Sequence, residues 1–425
     1  MIDFKQKTLP NGIRLVTCPI KSTEAVTILV LVLTGGRYET ADKLGISHFL
    51  EHLFFKGTKK YPSAQKLSEA LDAMGADFNA YTSEESTGFY VHSSAADFDK
   101  SLDILSDMYL NPLLPSSEIE KEKSVIIEEA NMRRDIPQLH VQVLAQKQMF
   151  PDSPLGLDLI GTPETVKDIT KADIANYFKT GYTGASTIIA VCGNPKGQDW
   201  EKKISARFKA KEQGLKPEFE MVSTSTVKEQ ITPEIRKVDQ AHLILSAQLF
   251  KKTDQRRYQA SILRTILGGG MSSRLFREVR EKRGLGYYIK TDTDWYADTG
   301  LFTVSAGVKT ACIEEATRAI LGEIKDLQKN GPTKSELKRA KSQLRGQIAL
   351  SLEGSQELAS YLAEETQFED IIRQPEDILS QIDKVTIDDI KKLTRDVFVS
   401  AKIGLAVIAP KVDAVGLTKL IKNGS

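Results

Sequence analysis

The feature that most constrains the fold is an internal repeat. Thr87-Gly88-Phe89 opens a strand-like apolar run, and Thr299-Gly300-Leu301 opens another 212 positions later. Pro115 with Glu118-Ile119 precedes a long charged segment, and Pro332 with Glu336-Leu337 precedes a second. Around these anchors one order of periodicities occurs twice. In the first half, 12–18 and 26–34 are β-branched runs bounded by Asn-Gly and Gly-Gly, and 78–93 alternates about a polar turn at 83–86, which predicts strands. Helices are predicted over 43–56, closed by Gly57, over 62–74, closed by Gly75, and over 96–111, 117–134 and 163–177, with a strand over 186–192. The second half offers a strand over 241–249, a helix over 258–267 ending at Gly268-Gly269-Gly270, a strand over 301–306 and helices over 312–329 and 334–352. Duplication of one α+β unit accounts for this order. The expected fold is α+β: two homologous α/β sandwich domains, each a mostly antiparallel sheet covered by helices.

The chain length agrees. At 425 residues it is too long for one ordinary domain and suits two of about 200 each. Residues 211–231 are polar, contain Gly214 and Pro217 and show no period. They are read as a linker between a domain over 1–210 and a second over 232–425. A net charge of +1 gives no electrostatic reason for a nucleic-acid partner. The three cysteines, Cys18, Cys192 and Cys312, are widely spaced and form no C-x-x-C pair. No run approaches the roughly 18 apolar residues that span a bilayer, and MIDFKQKTLPNG is not a signal peptide. A cytoplasmic protein without a membrane partner is expected.

The two halves differ in chemistry. Four of the five histidines, His48, His52, His92 and His140, lie in the first half, and the helix that should pair with the one bearing His48 has none. In His48-Phe-Leu-Glu51-His52, the histidines stand four apart, on one helix face a turn apart. Two imidazoles so placed can grip one zinc ion at about 2.0–2.1 Å. Glu51 falls on the same face without being a ligand, where it can take a proton from a metal-activated water and pass it to a leaving amine. A catalytic zinc needs a third protein ligand. The helix over 117–134 offers Glu129, behind the apolar run Val125-Ile126-Ile127 that is expected to bury this stretch, with Glu128 as the rival. Glu122 lies two turns earlier on the same face and is read as the carboxylate that orients an imidazole. His92, His140 and His242 are isolated and read as structural.

The segment Gly45-Ile-Ser-His48-Phe-Leu-Glu51-His52-Leu-Phe-Phe-Lys-Gly57-Thr58 carries the inverted zinc-peptidase signature. It resembles the pitrilysin/insulinase family, especially its short bacterial members and the β subunit of the mitochondrial processing peptidase. The likeness extends to 75–82, to Val125-Ile-Ile-Glu-Glu129, to 267–276 and to Arg280-Glu-Lys-Arg-Gly-Leu-Gly-Tyr287. In many members the third ligand lies 77 positions after the second histidine, which falls on Glu129 rather than Glu128. The resemblance also implies Glu122 as the orienting carboxylate, and Arg280 and Tyr287 as groups that stabilise an oxyanion or hold the substrate carbonyl. It places Asn79, Ala80 and Tyr81 on a strand beside the metal, to whose edge an extended substrate can add.

The expectation is therefore a zinc endopeptidase with one Zn2+ per chain, acting on peptides or unfolded segments in an enclosed chamber. The large family members close as a clamshell of four repeats. A chain with two repeats then implies a homodimer, or a heterodimer with an inactive homologue. A non-catalytic partner subunit of a larger complex and a dedicated precursor-processing peptidase are the alternatives.

Overall fold

The computed structural model describes residues 1–222, 227–368 and 371–424. They form two compact units. The first comprises Met1–Asn131, Leu157–Glu220 and Ala349–Gln374; the second comprises Met132–Gly156, Met221–Ile348 and Pro375–Ser425. Of the segment read as a linker, 211–222 and 227–230 carry neither helix nor strand, and 223–226 lie outside the described residues.

The first unit is built on strands β1 (Lys5–Thr8), β2 (Arg14–Pro19), β3 (Ala25–Val32), β4 (Asp77–Thr82), β5 (Thr87–Ser94) and β6 (Thr187–Gly193), in the order β1-β2-β6-β3-β5-β4. The second has β7 (Ile231–Ile235), β8 (Ala241–Phe250), β9 (Gly286–Trp295), β10 (Thr299–Val308) and β11 (Ile403–Ala409), in the order β7-β11-β8-β10-β9. From β2 onward the two orders coincide. Each sheet is antiparallel except for one pair, β2 with β6 and β7 with β11. The repeated threonines hold matching registers: Thr87 opposes Val32, and Thr299 opposes Phe250. The duplication read from the sequence is thus a duplication of sheet topology.

The first unit carries helices α1 (Ile46–Phe54), α2 (Ala64–Asp72), α3 (Phe98–Leu110) and α4 (Ser116–Asp135), whose end passes into the second unit. Helix α5 (Pro137–Met149) follows in the second unit, then α6 (Pro163–Asp168), α7 (Lys171–Gly181) and α8 (Trp200–Phe208) in the first. The second unit holds α9 (Arg257–Gly268), α10 (Ile313–Asn330) and α11 (Lys334–Leu350). It also holds α13 (Pro375–Lys384), α14 (Ile387–Val397) and α15 (Ala414–Gly424), while α12 (Ser355–Phe368) belongs to the first. The helices after α4 and α11 are therefore exchanged. Along β3, Val26, Ile28, Val30 and Val32 pack with Phe49, Leu53 and Leu102, while Leu29 and Leu31 pack with Leu358, Ala359 and Leu362 of α12. In the second unit, Val141 and Ala145 of α5 cover Ile244, Ala406 and Ile408. Successive strand side chains point to opposite faces, so a strand covered on both faces reads as one continuous apolar run.

Two local expectations change. Residues 163–177 form two helices, because Thr170 starts a new one: its hydroxyl accepts from the Asp173 N–H, and the Asp173 carboxylate accepts from the Thr170 N–H. Helix α5 lies on residues to which the sequence reading assigned no element. The run Val125-Ile126-Ile127 is also less buried than expected: Ile126 is buried, but Val125 is 50% exposed on the outer face of α4.

Candidate metal centre

Helix α1 is short, and its apolar stripe anchors it. Phe49, Leu50, Leu53 and Phe54 are fully buried, which turns His48, Glu51 and His52 to the opposite side. The helix begins at Gly45, in the left-handed region at φ +88°. A Cβ there would lie 2.3 Å from the Ile160 carbonyl oxygen, so only glycine fits.

Helix α4 brings Glu129 to the two imidazoles. His48 Nε2 lies 3.7 Å from one Glu129 oxygen, and His52 Nε2 lies 3.5 Å from the other. The three residues offer ligand atoms within 4.8 Å of one another, the one such group among the described residues. Ligands about 2.0–2.1 Å from a tetrahedral zinc stand roughly 3.4 Å apart, and the two histidine–carboxylate separations come close to that spacing. Glu128 is exposed and outside the group. Glu122 is 4% exposed and accepts from His52 Nδ1 at 2.9 Å, which leaves the His52 Nε2 lone pair facing Glu129. Its second oxygen pairs with Lys56 Nζ at 2.7 Å. Burial alone pushes the Glu122 carboxyl up, but the bonds from His52 and Lys56 outweigh it and hold it below the usual range. Burial pulls the His52 imidazole down, yet the Glu122 bond and the carboxylates around it raise it overall. A ring held among acids in this way is suited to a cation.

Glu51 is placed at the edge of this group. Thr82 Oγ1, the last residue of β4, donates to Glu51 Oε2 at 2.5 Å. Burial raises the Glu51 carboxyl, the Thr82 bond and His52 lower it, and Glu129 raises it, with a net rise. A half-buried carboxyl with a raised pKa is suited to general acid–base work.

Asn79, Ala80 and Tyr81 lie on β4, the edge strand of its sheet. Ala80 is buried with the α1 side of the sheet, and Tyr81 packs on the other face with the α12 cluster. Its ring presses on Gly88, where a Cβ would stand 2.4 Å from the ring. The Ala80 N–H donates to the Asn79 side chain at 2.9 Å. Arg280 and Tyr287 belong to the second unit. Arg280 is exposed on a π-helix over Phe276–Lys282, its guanidinium 4.8 Å from the Phe276 ring centroid, and Tyr287 is 58% exposed at the start of β9. The other histidines have ordinary partners: His92 with Thr27, His140 with Glu234 and His242 with Tyr288.

Sequence reading gave no role to Thr82 or Lys56. Lys56 follows His52 by four, a helical spacing that could have pointed to it; Thr82 meets Glu51 only through the fold.

Comparison with known proteins identifies the class. The insulinase (peptidase family M16) profile matches residues 14–163, and the peptidase M16 inactive-domain profile matches 168–344. The chain is 34% identical to an uncharacterized zinc protease of Streptomyces coelicolor, covering 96% of this chain and 90% of that protein. It is 33% identical to the uncharacterized zinc protease YmxG of Bacillus subtilis, covering 96% and 98%. The chain therefore belongs to the insulinase, or M16, family of zinc proteases. Two crystal structures share the fold. A protease from Helicobacter pylori has a TM-score of 0.88 at 22% identity, over 96% of this chain and all of that one. A peptidase M16 inactive-domain protein from Pseudomonas fluorescens has 0.90 at 18%, over 97% and 98%. No helix among the described residues is long and apolar enough to cross a membrane.

Proposed function

We propose that this chain is a zinc-dependent endopeptidase that hydrolyses peptides or unfolded segments in an enclosed chamber. The convergence of His48, His52 and Glu129 beside Glu51 carries the reading. His48, His52 and Glu129 would hold the ion, with Glu122 fixing the His52 ring. Bound there, zinc would supply a Lewis acid able to acidify water and polarise a carbonyl. Glu51 takes the proton of the attacking water and returns it to the leaving amine, with Thr82 holding the carboxylate in place. The free edge of β4 at Asn79–Tyr81 aligns an extended substrate. Retention of the full ligand set favours catalysis over a scaffold role.

The test is zinc analysis with peptide hydrolysis, before and after chelation, on the wild type and Glu51→Gln. Zinc in both proteins with cleavage only in the wild type supports the reading; a metal-free wild type, or an active Glu51→Gln, refutes it. We also propose that two copies form a homodimer in which Arg280 and Tyr287 of one stabilise the oxyanion in the other's site. Mixing inactive His52→Ala with inactive Tyr287→Phe should then restore activity, and no recovery counts against the exchange.

A further inference from the structure

A carboxylate outside the ligand set holds the start of the metal-bearing helix. Glu39, six residues before Gly45, is 6% exposed. One of its oxygens accepts the Gly45 N–H and the other the Ser47 N–H, each at 2.7 Å. These are two of the four N–H groups at the head of α1 that have no partner within the helix. Gly45 has no side chain to cap them, and no side chain could be added, because the Ile160 carbonyl occupies that space. The first turn of α1 thus takes its cap from a remote acid. Ser47 is itself pinned: its hydroxyl lies 2.6 Å from Tyr177 Oη, which lies 2.9 Å from Thr34 Oγ1. His48 follows directly, as the third residue of the helix.

The choice of an acid has an electrostatic consequence. A helix N-terminus carries about half a positive charge, which disfavours a dication bound at the first turn. A shorter neutral cap would satisfy the amides and leave that field in place. Glu39 satisfies the amides and opposes the field, and no Lys or Arg pairs with it among the described residues. We propose that Glu39 is a positioning residue of the metal centre: its buried carboxylate sets the first turn of α1 and offsets the helix dipole, so that His48 holds the ion tightly.

This inference rests on the zinc reading of the site. The test is zinc affinity of the folded protein by chelator competition at about pH 8, with Tm recorded in parallel. Loss of a partner behind a ligand costs about 10–100-fold in metal affinity, and Glu39→Gln should weaken zinc by that range. A role confined to stability would lower Tm and leave the affinity of the folded protein within threefold of wild type; that result overturns the proposal. Glu39→Asp keeps the charge but reaches only one amide, so its affinity should fall between the two. If Glu39→Gln does not fold, Glu39→Asp decides by the same threefold criterion, and failure of both to fold overturns the proposal in favour of stability alone. If the wild type binds no zinc, or His52→Ala binds as well as the wild type, the zinc reading falls and this inference with it. Normal wild-type binding with an unaffected Glu39→Gln removes only this inference.

Discussion

Replacing Thr82 by Val removes one hydroxyl and nothing that holds β4 in place. The strand stays registered by Thr82 opposite Thr87, and the turn by the Ser83 N–H bond to the Ser86 carbonyl at 2.8 Å. What is lost is the bond to Glu51 Oε2 at 2.5 Å. A hydrogen bond to a charged group contributes about 1.5–3 kcal/mol, so a base that loses it should slow the chemical step by roughly 10–150-fold. The loss should fall on kcat, since Thr82 bonds the proposed base Glu51 and none of the proposed ligands. The bond also lowers the Glu51 carboxyl against burial. Removing it raises that carboxyl further, so the onset of activity on the acid side should move to higher pH. Steady-state kinetics on a quenched-fluorescent unstructured peptide, with zinc content measured in parallel, provide the assay. Thr82→Ser keeps the donor and should restore most of the rate. A Thr82→Val enzyme within twofold of wild-type kcat would refute the reasoning, as would a Ser variant as impaired as Val.

Other outcomes follow from the same geometry. Glu122→Gln should weaken zinc binding by about 10–100-fold, read by chelator competition, because the His52 ring loses its charged acceptor and Lys56 its partner. Gly45→Ala meets the Ile160 carbonyl and a left-handed backbone; it should destabilise the metal-free protein by about 2–4 kcal/mol, seen as a lower Tm. Burial pushes the Glu39 carboxyl from 4.5 up to about 7. A carboxyl raised by folding favours the folded state fully below its unfolded value, and that contribution is lost as pH rises through the folded value. The metal-free wild type should therefore lose Tm between about pH 4.5 and 7 more steeply than Glu39→Gln, and equal slopes would contradict this.

Much of the candidate site was legible in the sequence because its spacing is local. A helix puts His48, Glu51 and His52 on one face whatever surrounds it, and Glu122 and Glu129 share a face for the same reason. Periodicity left Glu128 beside Glu129 as a candidate; the resemblance favoured Glu129, and packing of α4 turned Glu128 to solvent. The repeated Thr-Gly pairs identified the duplication, since both stand at the same register of equivalent strands.

Tertiary structure alone showed the bonds that Thr82 and Glu39 make across chain distance. The Thr82 hydroxyl reaches Glu51 because β4 passes α1, and Glu39 reaches Gly45 and Ser47 through a loop with no period to read. The exchange of α5 and α12 between units was equally invisible, since an apolar helix face records that it must be covered and not which sheet covers it. Hydrophobic burial is non-directional, whereas helical spacing is fixed by backbone geometry. That is why the spacing of the candidate ligands could be read from the chain, and the bonds of Thr82 and Glu39 only from the fold.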